Sequence, residues 1–311
     1  MSTNSSCHLL SHVLYLSGYS IISTLGLIMN IIAIYLFIHV NQLRSPTIVY
    51  MKNLAIADLL LICTVPLKIY SYTIEPSTIN SNLQFWICNV FGSFLLLNMY
   101  SSIFLLTCIS FDRYLAVCFP LRSRRLRQKA PWICVGVWFL NGISVIVNSI
   151  IFIEGSNTNH SCLNGRPPFV TQKGPTIGAI GIGFLVPLVV MVISSVAMLK
   201  SMNQSHVVQE GLVNRVKVIR MLATNTAIFL LCFLPYHLVL LFYQFMDNCF
   251  LEEAYQFTLL TACCNTVLDP FAYYFTTDTI RNVVREEIKA GKKFLELSDH
   301  SSEKNRPIIS S

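Results

Sequence analysis

Residues 108–129 read CISFDRYLAVCFPLRSRRLRQK. A long apolar helical pattern runs up to this stretch. Asp112, Arg113 and Tyr114 stand together near its end, and the turn that follows carries Arg122, Arg124, Arg125, Arg127 and Lys129 with no acid. Hydrocarbon excludes charge, and Lys and Arg gather in the inner loops of membrane proteins. The stretch therefore has the form of a chain leaving a bilayer on its positive side.

Composition extends that reading to the whole chain. Of 311 residues, 54% are hydrophobic and 12% charged, against roughly 25% charged in ordinary soluble proteins. A span needs about 20 mostly apolar residues. Stretches at Val13–Ile38, Thr47–Tyr72, Phe85–Cys118, Trp132–Ile153, Ile177–Leu199, Val218–Phe245 and Ala254–Phe275 qualify. Backbone polar groups in lipid must be satisfied within their own segment, so each is expected to be helical. The pattern predicts an all-α membrane protein: a seven-transmembrane helix bundle over residues 13–276. Residues 1–12 form an extracellular N-terminus without the features of a cleavable signal. Residues 277–294 alternate apolar and basic at helical spacing, as a short amphipathic helix on the inner membrane surface does. Residues 295–311 are Ser-rich and expected to be disordered.

Orientation follows from charge. With Met1 outside, the outer segments and helix ends hold only Lys68, Arg166 and Lys173 of the 22 Lys and Arg residues. The rest fall at the inner face, as the positive-inside rule requires. The net charge of +7 then reflects orientation and contact with anionic membrane lipids, and calls for no nucleic acid. The sequons at Asn4 and Asn159 fall outside; that at Asn203 falls inside and stays unmodified. Most of the 11 cysteines sit in apolar helix. Cys88 and Cys162 fall on the oxidising side, where a disulfide can form. Cys7 and Cys249 are a second outer pair, either bridged or free.

Charges within the bilayer mark function. Asp58 and Asp269 lie mid-span, with Asn30 at similar depth. Two carboxylates with Asn98, Ser102 and Asn265 offer hard oxygen ligands for a small cation such as sodium; the alternative is a hydrogen-bonded knot joining helices. Pro66, Pro187, Pro235 and Pro270 interrupt their helices and permit kinks. Arg113 can pair with Asp112 in one state and be released in another, or it simply snorkels to the headgroups.

The motifs taken together resemble the rhodopsin-like (class A) G-protein-coupled receptors over about residues 26–285. They are Gly26 and Asn30; Asn53-Leu54-Ala55-Ile56-Ala57-Asp58; Cys88; Asp112-Arg113-Tyr114; Trp138; Pro187; Cys232-Phe233-Leu234-Pro235; and Asp269-Pro270-Phe271-Ala272-Tyr273, each on its expected helix. The resemblance implies that Arg113 engages a heterotrimeric G protein once the sixth helix swings about Pro235, with Tyr273 holding the open state. It implies a sodium ion, acting as a negative modulator, at Asp58, Asn98, Ser102, Asn265 and Asp269, and a Cys88–Cys162 disulfide. Four features depart from the pattern. Phe233 stands in place of Trp, Asp269 in place of the commoner Asn, and Ser195 in place of a supporting Tyr. The start of the sixth helix carries Arg215 and Lys217 without the acid that would restrain Arg113, so raised basal activity is expected.

Phe233, Asp269, Pro66-Leu67-Lys68 and the run from Asn98 to Val117 resemble the purinergic and lysophospholipid branch, which includes lysophosphatidic acid, nucleotide and orphan receptors. Leu95 stands where amine receptors carry an Asp, which argues against a biogenic amine. Lys68, with Arg166 and Lys173, can grip a phosphate or carboxylate. Tyr72, Tyr100, Tyr236, His237, Tyr243, Tyr255 and Gln256 can line the cavity. A lysophospholipid such as lysophosphatidic acid is the first expectation, coupled through G12/13, Gi or Gq; a nucleotide or small organic acid follows. Lys68 can also be a snorkelling lysine. Tail serines Ser298, Ser301, Ser302, Ser310 and Ser311 offer phosphorylation sites for arrestin. No two-fold repeat of the kind many transporters carry is visible. Asp58 and Asp269 are the only carboxylates an intramembrane aspartyl protease could use.

Overall fold

The computed structural model describes residues 2–39, 45–73, 81–155, 173–204, 215–245 and 249–276, all in helices, turns or short links. The expected inner-surface helix at 277–294, the tail at 295–311, Cys162, Asn159 and Arg166 lie outside these residues, as do the side chains of Asn4, Cys7, Arg215, Lys217 and Cys249.

Seven spans form a helical bundle. The first is α1 (Ser2–His39), which starts well before Val13 because no Pro or Gly interrupts the preceding residues. The second is divided into α2 (Pro46–Ile62) and α3 (Val65–Thr73). Pro66 cannot donate to the Ile62 carbonyl, and the chain tightens there: Thr64 donates its backbone N–H to Leu61 O at 2.8 Å and its hydroxyl to the same oxygen at 2.7 Å. The third span, α4 (Ser81–Cys118), leads through the short basic helix α5 (Arg124–Arg127) to the fourth, α6 (Ala130–Gly155). The fifth consists of α7 (Lys173–Ile180), a π turn (Gly181–Leu185) just ahead of Pro187, and α8 (Val186–Gln204). The sixth, α9 (Arg215–Phe242), contains Pro235 and ends before the expected Phe245, since Tyr243–Phe245 turn out of the helix.

The seventh span differs most from expectation. It is two helices, α10 (Cys249–Cys263) and α11 (Asn265–Thr276), meeting at Cys264. Pro270 leaves the Thr266 carbonyl without its helical donor. Asn30 supplies one from the first span: its Nδ2 lies 2.8 Å from Thr266 O. Among the described residues, six of the spans, the divided second and fifth included, are long and apolar enough to cross a membrane.

α4 is the axis of the bundle, packing against the second, fourth, fifth and sixth spans. The fourth span is peripheral. Trp132 is 76% exposed and Phe139 66%, a surface suited to lipid rather than water. Lipid gives no hydrophobic drive between helices, so polar links hold this span. Trp138 Nε1 donates to Asn53 Oδ1 at 2.9 Å, and Asn141 Nδ2 to Ser101 Oγ at 3.1 Å.

Candidate functional site

Three groups of polar residues lie along the bundle interior, one near each end and one between. At the Lys68 end, α3 points its lysine inward. Lys68 is 5% exposed, which rules out snorkelling. Its Nζ sits 5.0 Å from the centre of the Tyr72 ring and 5.5 Å from that of Phe91. It makes no salt bridge among the described residues. Two cation–π contacts give about 1–4 kcal/mol together, while burying an ammonium costs several. The pocket therefore favours an anion.

Aromatic rings continue from there. Tyr72 stacks with Tyr15 and Tyr19, and Tyr19 meets Phe91 edge to face at 5.8 Å. Tyr72 Oη lies 3.5 Å from Gln256 Oε1. Tyr255 packs against Tyr236 and Tyr243, and Tyr236 meets His237 edge to face at 5.2 Å. His237 Nδ1 donates to Phe233 O at 2.7 Å, since a carbonyl only accepts. That leaves Nε2 to accept from the Tyr100 hydroxyl at a long 3.5 Å. The structure thus brings Lys68, Tyr72, Tyr100, Tyr236, His237, Tyr255 and Gln256 into one connected cluster. Leu95 is buried with them in the core of the bundle, and Lys173 is exposed at the start of α7. Tyr15, Tyr19, Phe91 and Phe184 were missed from sequence. Only the four-residue spacing of Tyr15 and Tyr19, which puts both on one helical face, hinted at the first two.

The middle group is fully buried. Asp58 accepts from Asn98 Nδ2 at 2.8 Å, and Asp269 from Asn265 Nδ2 at 2.9 Å. The two carboxylates are close enough to interact electrostatically. Asp58 Oδ2, Asn98 Oδ1, Ser102 Oγ, Asn265 Oδ1 and Asp269 Oδ1 are all buried without a hydrogen-bond partner. Among the described residues no three His, Cys, Asp or Glu side chains gather as a metal-ion site. The five orphaned oxygens, one from each of the two carboxylates and three neutral, fit a small hard cation.

At the Arg113 end the structure shows the released one of the two expected arrangements, with Asp112 held by other partners. Asp112 does not go to its neighbour Arg113. Arg127 takes it with Nε at 2.7 Å and Nη2 at 3.2 Å, and Thr47 Oγ1 adds 2.6 Å from α2. The geometry explains this: a two-nitrogen fork from α5 meets both carboxylate oxygens, which the adjacent residue on the same helix cannot do. Arg113 Nε is buried with no partner. Ser195 turns its hydroxyl back to Met191 O at 2.8 Å. Tyr273 is buried against Phe37 with its hydroxyl unpartnered. Phe233 is fully buried and edge-on to Phe229. Pro235 lies within α9 and Pro270 within α11. Cys88 is disulfide-bonded to a partner outside the described side chains.

The bundle thus has seven spans, a buried lysine near one end and an arginine with an unpartnered Nε near the other. The family described as 7 transmembrane receptor (rhodopsin family) matches residues 29–273, and the chain belongs to it. It is a multi-pass membrane protein and a receptor rather than an enzyme. Human lysophosphatidic acid receptor 6 is 36% identical over 295 residues, covering 88% of this chain and 83% of the relative. Human lysophosphatidic acid receptor 4 is 35% identical, covering 85% and 74%. Mouse cysteinyl leukotriene receptor 1 is 28% identical, covering 89% and 83%.

Proposed function

We propose that the protein is a plasma-membrane receptor for an anionic lysophospholipid, such as lysophosphatidic acid, and that it activates heterotrimeric G proteins of the G12/13, Gi or Gq classes. Lys68 carries this reading: a buried ammonium held, among the described residues, by two aromatic rings takes the phosphate. The tyrosines around it contact the glycerol and the start of the acyl chain. The similarity to receptors named for lysophosphatidic acid supports the same choice over a nucleotide.

The Lys68 end faces outside and the Arg113 end faces the cytosol, with Cys88 bridged to Cys162 and glycans on Asn4 and Asn159. Binding draws helices together around the headgroup. α9 then swings about Pro235, Tyr273 braces the open form, and Arg113 meets the G protein. Asp58, Asn98, Ser102, Asn265 and Asp269 hold sodium, which supplies a positive charge that favours the closed form. Arrestin binds the phosphorylated tail.

The test is exchange on a G-protein panel driven by 1-oleoyl lysophosphatidic acid. Lys68→Gln is one atom shorter and keeps a polar end but removes the charge. Its agonist potency should fall by at least tenfold at equal surface expression, since a charge-assisted contact is worth about 1.5–3 kcal/mol. Unchanged potency would overturn the phosphate contact.

A further inference from the structure

The inward stripe of α9 recurs at helical spacing: Met221 and Leu222, then Asn225, then Ile228 and Phe229, then Cys232 and Phe233. Asn225 is the polar member. It is 1% exposed, and its Nδ2 is buried with no hydrogen-bond partner. Exchanging the amide oxygen and nitrogen would still leave a polar atom unpaired at that spot. Neighbouring Thr224 is satisfied by its own helix, donating to Arg220 O at 2.9 Å. Asn225 has no such local outlet.

The end of α9 that carries Asn225 is closed in this structure. Met221 and Leu222 form a buried cluster with Met198 and Met202 of α8, against Tyr114 and Val117 of α4. Asn225 lies one turn further in, between that cluster and Pro235. A swing about Pro235 that opens the cluster must carry Asn225 with it and admit water to its face of the helix.

We propose that Asn225 is a positioning residue that biases α9 toward the open, G-protein-competent form. In the closed bundle its amide N–H group loses water and gains no partner. In the open form it is hydrated, or reaches the Tyr273 hydroxyl, which is also unpartnered here. The unmade hydrogen bond therefore raises the closed state selectively, and a differential of this kind is what shifts a two-state equilibrium. The inference rests on the G-protein coupling proposed above and is independent of the ligand.

The experiment compares full-length wild type, Asn225→Leu and Asn225→Gln in membranes, at matched surface expression. Ligand-free guanine-nucleotide exchange and the Tm of the purified receptor are both read. Leucine matches the volume without the amide, so its basal exchange should fall about tenfold and its Tm should rise. Glutamine keeps the amide and should retain most of the basal exchange. A packing role alone moves Tm without this split between Leu and Gln. Background-level exchange by the wild type, unchanged exchange in Asn225→Leu, or an equal fall in Asn225→Gln overturns the role of Asn225. Stimulated exchange by the wild type with 1-oleoyl lysophosphatidic acid separates the two readings: stimulation above a background-level basal rate counts against the role of Asn225 alone, and no exchange with or without this ligand counts against the proposed receptor as well.

Discussion

Asp112 is held by a fork from Arg127 and a hydroxyl from Thr47, while Arg113 beside it has an unpaired Nε. The basic turn thus does more than mark the positive face. One of its arginines, Arg127, occupies the carboxylate that stands next to Arg113. In Arg127→Ala, Asp112 loses its fork and the nearest remaining cation is Arg113. Basal and agonist-driven exchange should both fall severalfold while agonist affinity stays put; a rise in basal exchange instead would mean that the Asp112–Arg127 pair is itself a brake. Sequence showed the charges of this turn but not the pairing, because which arginine reaches a carboxylate depends on the path of a short loop. Lys68 shows the same division. Its identity and place near a helix end were legible, whereas its burial over Tyr72 and Phe91 depends on how α3 rotates after the Pro66 break. Tyr15 and Tyr19, in a span whose other faces meet lipid, gave no sign of reaching Tyr72.

At the level of helices, the prolines were visible in the sequence and their consequences were not. Pro270 suggested a kink, but the split at Cys264 and the use of Asn30 to satisfy Thr266 O involve a residue more than two hundred positions away. That hydrogen bond replaces the one proline removes. Asn30→Ala should leave a buried carbonyl unsatisfied and cost about 1–3 kcal/mol, read as a lower Tm of the purified receptor and reduced surface expression. The π turn ahead of Pro187 was likewise hidden. It places Gly183 so that a Cβ there would meet Tyr100 Cε1 at 2.6 Å and Cδ1 at 3.1 Å, closer than side-chain contacts allow. The ring lies flush on the fifth span only because that Cβ is missing. Phe184, the next residue, stacks on His237 with centroids 4.3 Å apart. Gly183→Ala should push Tyr100 off this seat and away from His237. Agonist potency should drop severalfold, and Tyr100→Ala in the same background should add little further loss, since neighbours sharing a contact are not additive. Fully additive losses would mean that Gly183 acts elsewhere.

Across the whole bundle, the seven spans were readable from hydropathy and the motifs in order, since lipid imposes the same length and polarity on every crossing. Asp58 and Asp269 stood out for the same reason. What only the structure supplies is that Asn98 and Asn265 each spend an amide N–H on a carboxylate while their oxygens remain orphaned beside Ser102. Those oxygens come from α2, α4 and α11, so their mutual distances depend on how the spans pack, and a movement of α9 and α11 changes them. A cation bound there prefers one packing, and by linkage it must weaken any ligand that prefers the other. Sodium should therefore lower the affinity of labelled lysophosphatidic acid severalfold in receptor membranes, and Asp58→Asn should abolish the effect by removing a charged oxygen. The comparison must replace sodium with choline at constant ionic strength, because salt alone screens an anionic headgroup from Lys68. An equal response to sodium and choline in the wild type would leave the buried oxygens as a polar knot between helices, with no cation in the switching of the receptor.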